Sequence, residues 1–83
     1  MNEIIITVYV LGLDEEYDLF LPIGIKMSEA LSLIQDSIRE LSEDNYVVHD
    51  DAKLYSSFEG KLINLNNVVK FSGLKNGCKV LLK

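Results

Sequence analysis

The sequence predicts an α+β domain in which a mixed sheet of four to five strands wraps one helix. Two observations carry that expectation. Within residues 25–42, Met27, Leu31, Ile34, Ile38 and Leu41 recur at spacings of four, three, four and three, which places them on one stripe of an α-helix. The flanking segments alternate with the period of strands and are rich in β-branched residues. The helix needs a cover for its stripe. At roughly 1.5–3 kcal/mol for each large side chain withdrawn from water, five such residues are worth about 10 kcal/mol, comparable to the net stability of a small domain. Only the strands can provide the cover.

Ile4, Ile6, Val8 and Val10 share one side of the first strand, and Ile5, Thr7 and Tyr9 the other, which Thr7 marks as the wetter side. Gly12 and Asp14 are turn residues, so the chain doubles back there. Tyr17, Leu19 and Leu21 alternate with Glu16, Asp18 and Phe20 in a second strand, paired as a hairpin, with Phe20 outward. Pro22 and Gly24 end it. The helix starts near Ile25 or Lys26, with Ser28 the only nearby residue of good N-cap type. Ala30 widens its stripe; Glu29, Gln35, Asp36, Arg39 and Glu40 fall on or near the opposite side.

The acidic stretch after Leu41 reads as a loop anchored by Tyr46, Val47 and Val48. A short strand over Lys53–Phe58, a turn at Glu59-Gly60 and a return strand over Lys61–Leu65 follow. Asn66 and Asn67 open a short segment that packs Val68, Val69 and Phe71. Gly73 and Asn76-Gly77 supply positive-φ positions. The last strand, Lys79–Lys83, has Val80 and Leu82 inward and Leu81 outward.

This order of elements is that of a β-grasp domain, because a sheet curled around one helix covers every apolar side. A ferredoxin-like sandwich would need a second full helix, for which Asn66–Gly73 is too short. The 83 residues make one domain, 1–83, with no linker, repeat or low-complexity tract. With 13 acidic and 8 basic residues the formal charge is −5, which disfavours nucleic acid and anionic membrane as partners. One cysteine, Cys78, fits a reducing compartment. There is no basic, apolar leader and no run of about 18 apolar residues, so a cytoplasmic location is expected.

The segment FEGKLINLNNVVKFSGLKNGCKVLLK resembles the second half of ubiquitin: a Gly-Lys turn, a leucine, a tight segment and an alternating last strand. More narrowly, YDLFLPIGIKMSEALSLIQDSI and SGLKNGCKVLLK are similar to segments of the small YukD/EsaB-like proteins, ubiquitin-like components associated with bacterial type VII secretion. The likeness covers nearly the whole chain. It implies a non-catalytic, cytoplasmic interaction protein, an accessory of the secretion system, with its membrane ATPase and channel subunits as partners. The alternatives are a ubiquitin-like modifier or sulfur carrier, or a β-grasp domain of a larger protein. Modifiers and carriers present a flexible Gly-Gly tail; an end at Lys83, inside the last strand, argues against conjugation.

No catalytic, cofactor or metal site is expected. His49-Asp50-Asp51, with Asp44, reads as an acidic turn, since no second His or Cys has ligand spacing. Cys78 and His49 are the only thiol and base, far apart in sequence and without a third group. No phosphate loop or G-x-S-x-G context occurs. What remains is surface. The alternation leaves Ile5, Tyr9 and Phe20 outside the first hairpin, and Tyr55 and Leu81 outside the third and last strands. In ubiquitin-like folds this side of the sheet is the usual recognition patch, and Tyr55 and Leu81 resemble it. Exposed apolar residues are normal singly, so scattered surface side chains are the bland alternative. A protein partner is expected, for a monomer or weak dimer.

Overall fold

The computed structural model describes residues 2–56 and 60–83. The strands are β1 (Glu3–Val10), β2 (Glu15–Pro22), β3 (Leu54–Ser56) and β4 (Lys79–Leu82), and the helix is α1 (Met27–Leu41). They form one mixed sheet in the order β2-β1-β4-β3. β1 and β2 are antiparallel, β4 lies parallel to β1, and β3 is antiparallel to β4. The crossover that carries α1 thus brings the end of the chain beside its beginning, as a β-grasp requires.

The predicted faces of β1, β2 and β4 are the observed ones. Ile4, Ile6, Val8, Val10, Leu19, Leu21, Val80 and Leu82 are buried against Met27, Ala30, Leu31, Ile34 and Ile38 of α1. The hairpin closes through Leu11–Asp14, where Asp14 rather than Gly12 takes the positive φ, at 53°. Gly73 and Gly77 hold the positive-φ turns before β4.

The start of α1 differs from expectation. Lys26 is the N-cap residue, no side chain caps the helix, and Ser28 is not used. Main chain does the work instead. The amides of Met27 and Ser28 donate to the carbonyls of Asn67 (2.8 Å) and Leu65 (3.0 Å), and Lys26 pairs with Val68 in an isolated bridge. Two of the four amides that a helix start leaves free are met by a segment forty residues downstream.

Leu41, assigned to the buried stripe, is 58% exposed. A heptad pattern rotates about 20° per repeat on a straight helix, so two repeats carry Leu41 off the core side. Gln35, assigned to the outer side, is buried. Its Nε2 donates to the His49 carbonyl (3.2 Å), and its Oε1 accepts from the Tyr46 hydroxyl (2.7 Å) and the His49 amide (3.0 Å). That amide clamps the acidic loop to the helix, which is why only Tyr46 is a buried anchor. Val47, 75% exposed, and Val48 face solvent. At the end of α1, Glu43 and Asp44 both take left-handed φ angles, 54° and 66°, and the Asp44 amide closes on the Arg39 carbonyl at 2.9 Å.

The third strand is shorter than Lys53–Phe58, and residues 57–59, with Glu59 of the expected turn, lie outside the described residues. Gly60 follows with φ 68°. The return strand over Lys61–Leu65 reduces to a bridge between Tyr55 and Leu62, flanked by amide bonds from Ser56 to Lys61 (2.8 Å) and Ile63 to Leu54 (2.9 Å). Ile63 is buried there and Leu65 packs half-buried against the core, and the chain turns at Asn64 to reach the helix start. Val69 is buried in a one-turn 3-10 helix, Val69–Phe71, whereas Phe71, expected to pack, is 74% exposed. Three residues per turn cannot put Val69 and Phe71 on one face.

Replacing Gln35 with Leu should leave the Tyr46 hydroxyl and the His49 amide without an acceptor, at a cost of about 1–3 kcal/mol read from urea unfolding. Hydrogen exchange should rise first in residues 45–52. Burial raises the Tyr46 pKa above the 10.0 of a free phenol. A group whose folded pKa is raised stabilises the fold fully below its unfolded pKa and loses that contribution as pH climbs through the folded one. Stability should therefore fall above about pH 10, and Tyr46→Phe should flatten the decline in alkaline melts.

Candidate protein-docking face

The outer side of the sheet is organised as cross-strand rungs. Register places Glu16, Tyr9, Leu81 and Tyr55 side by side across β2, β1, β4 and β3. A second rung holds Asp18, Thr7 and Lys79, and a third pairs Phe20 with Ile5. Odd-numbered positions of β1 and β4 share this side, so the alternation that buries Val8 and Val80 necessarily presents Tyr9, Lys79 and Leu81.

Tyr9, Leu81 and Tyr55 form the apolar floor of an open concavity of about 590 Å³, bordered by Leu11, Ser56, Gly60 and the charged side chains of Glu16, Lys79 and Lys83. Lys79 Nζ meets Glu16 Oε2 at 2.6 Å, and Lys83 Nζ sits 4.8 Å from the centre of the Tyr55 ring. Lys53 and Lys83 exchange backbone bonds of 2.8 and 3.0 Å, which continue the β3–β4 ladder. The Tyr9 hydroxyl donates to the Asp14 carboxylate. That bond, with burial and the charges of Asp14 and Glu16, holds the phenol above its ordinary pKa.

Of the five residues expected on this face, the structure gathers Tyr9, Leu81 and Tyr55. Ile5 and Phe20 pair at the other end, beyond a polar rung in which the Thr7 hydroxyl donates to Asp18 at 2.7 Å. Phe20 is 71% exposed, as expected of an outward position. Leu11, Lys79 and Lys83 complete the floor and rim and were not singled out in the sequence. Their odd numbers were the available signal.

Charge is strongly segregated along the chain. Twelve of the 13 acidic residues lie in residues 1–52, and six of the seven lysines in 53–83. The second group builds β3 and β4, so a protein of net charge −5 carries lysines around the apolar rung. An acidic, apolar protein surface fits such a rim better than a phosphate backbone, which the rest of the molecule repels.

The other candidate groups lie apart from this face. The His49 ring tilts against Tyr46 at 5.9 Å, and its Nδ1 is 3.1 Å from the Val47 carbonyl. Cys78 is half-buried against the core, its carbonyl bound to the Thr7 amide at 2.9 Å. Among the described residues no three His, Cys, Asp or Glu side chains converge as metal ligands. Among them, too, no helix is long and apolar enough to cross a membrane.

No family model and no characterised protein matches the chain in sequence. Solved structures do match it in shape. The ubiquitin-like domain of the Mycobacterium tuberculosis type VII secretion protein EccD1 superposes with a TM-score of 0.74 at 16% identity, over 99% of this chain and 98% of that one. A structure described as molecular mimicry of SUMO that promotes DNA repair gives 0.73 at 18% identity, over 100% and 92%. A chain of the MycP5-free ESX-5 inner membrane complex gives 0.71 at 13% identity; this chain spans 21% of it. At such identities the likeness establishes the fold: a ubiquitin-like β-grasp.

Asn tolerates the left-handed backbone of Asp14, so Asp14→Asn should keep the hairpin while removing the charge beside Tyr9. Ultraviolet titration should then show the Tyr9 phenol ionising at lower pH than in the wild type.

Proposed function

We propose that this protein is a non-catalytic ubiquitin-like interaction component of a bacterial type VII secretion system, acting in the cytoplasm by docking a subunit of the secretion machinery on its outer sheet. The observation that carries the docking face is the Tyr9–Leu81–Tyr55 rung, three large side chains in register on adjacent strands at the floor of a concavity. Isolated apolar side chains are unremarkable on a protein surface. Three in a row with a charged rim have the anatomy of an interface core.

The system is suggested by two independent lines. The YDL-to-helix and SGLKNG segments resemble YukD/EsaB-like proteins, and the EccD1 domain and an ESX-5 chain share the fold. Lysines on the rim favour a partner surface that is acidic around an apolar centre.

The test is co-purification of the tagged chain with the secretion ATPase and channel subunits from bacterial membranes. Tyr55→Ser and Leu81→Ser together should abolish capture and shift the melting transition by no more than a half-buried surface pair allows, about 1–2 kcal/mol. Capture that survives both substitutions would refute this face. A thioester formed with an activating enzyme would favour the modifier reading instead.

A further inference from the structure

The outer side of the sheet is electrically lopsided, and the charges follow the strand order. Contacts fix which carboxylates stand on this side. Asp14 accepts from the Tyr9 hydroxyl, Glu16 meets Lys79 and Asp18 accepts from Thr7, so three acids line the β2 margin of the face. Two lysines hold the opposite margin. Lys83 Nζ lies over the Tyr55 ring, and reciprocal backbone bonds seat Lys53 opposite Lys83, both two residues from an outward position. Like charges facing each other across a ladder repel, and among the described residues neither lysine meets a carboxylate. Tyr9, Leu11 and Leu81 lie between the two margins.

Such a face complements itself in one arrangement. Two sheets stack face to face about a two-fold axis lying between them, and that axis can run across the strands or along them. Across the strands, β2 covers β2, so acids fall on acids and lysines on lysines, which like-charge contact disfavours. Along the strands, between β1 and β4, the β2 margin of each copy covers the β3 margin of the other. The ladder registers then set Asp14 of one copy opposite Lys53 of the other, Glu16 opposite Tyr55 with its overlying Lys83, and Tyr9 opposite Leu81. Every pairing occurs twice. Two chains of net charge −5 repel at long range, so contact needs a surface on which lysine meets acid. Strands about 4.8 Å apart and outward rows about 7 Å apart bound a patch of roughly 300–400 Å² per copy, against about 800 Å² in a stable complex. Association is therefore weak.

We infer that the outer sheets of two copies stack about a two-fold axis parallel to the strands, in a reversible homodimer that covers Tyr9, Leu81 and Tyr55. The dimer rests on the same reading of that rung as a docking surface and adds its regulation. A subunit that docks there competes with the second copy, and its apparent affinity falls with the fraction of chain left as monomer.

The experiment follows the amide NMR spectrum of the labelled full chain on dilution from about 1 mM to about 20 µM, with sedimentation equilibrium over the same range. Shifts should concentrate in Tyr9, Leu11, Lys53, Tyr55 and Leu81, and mass should pass between monomer and dimer. Glu16→Lys with Asp18→Lys lowers the overall repulsion between copies yet sets lysine toward lysine, so the dissociation constant should rise at least about tenfold. Adding Lys53→Glu, Lys79→Glu and Lys83→Glu turns the polarity of the face end for end and should restore the wild-type value within about threefold. Amide spectra confirm that each variant is folded. Absence of concentration-dependent shifts, shifts centred on α1, tighter association of the doubly substituted chain, or no restoration by the three further changes would each overturn the dimer. Flat dilution spectra, alongside capture of secretion subunits that Tyr55→Ser and Leu81→Ser abolish, would sink the second copy and leave the docking face. Dilution shifts without such capture would sink the docked subunit and leave the dimer.

Discussion

Everything in this molecule depends on burying the stripe of α1 in the concave side of the sheet. Met27, Ala30, Leu31, Ile34 and Ile38 are covered, and the strands that cover them must alternate, so the opposite side of every strand is committed to solvent. The candidate docking face is a by-product of that commitment. Tyr9 stands outside because Val8 and Val10 are inside, and Leu81 because Val80 and Leu82 are.

A second constraint links the helix to the end of the chain. The first amides of α1 are satisfied by carbonyls of Leu65 and Asn67, so the segment after β3 is held against the helix start by hydrogen bonds as well as by Ile63 and Val69. Holding it there delivers the chain to Gly73 and Gly77, whose left-handed turns aim β4 between β1 and β3. β4 then carries Lys79 into the middle of the sheet, beside β1 of the acidic half, with Lys83 just past its end. The result is an electrically polar domain: a lysine-rimmed apolar rung on one side and an acidic open edge on the other. Charge separated in this way orients an approaching partner and selects against the wrong one more than it adds to affinity.

How much could be read beforehand depended on whether a residue's neighbours lie close in sequence. The faces of β1, β2 and β4, the inward stripe from Met27 to Ile38 and the outward Phe20 all follow from local periodicity. Gln35 was misassigned because its partners, Tyr46 and His49, are supplied by a loop with no periodic signal. Val47 and Phe71 look like core residues by composition, yet a clamp at Gln35 and a 3-10 turn set their directions. Three of the five surface candidates converge; the grouping required the register, which no single strand encodes.

The amino-acid sequence determined the helix, the strands β1, β2 and β4 and the sign of each of their faces, because periodicity of two or 3.6 residues is written into the order of side chains. Tertiary structure alone decided which strands are neighbours, how the helix start is capped, and that Tyr9, Leu81 and Tyr55 share one rung. Those are relations between segments tens of residues apart, set by burial and hydrogen-bond satisfaction across the whole domain rather than by any local pattern.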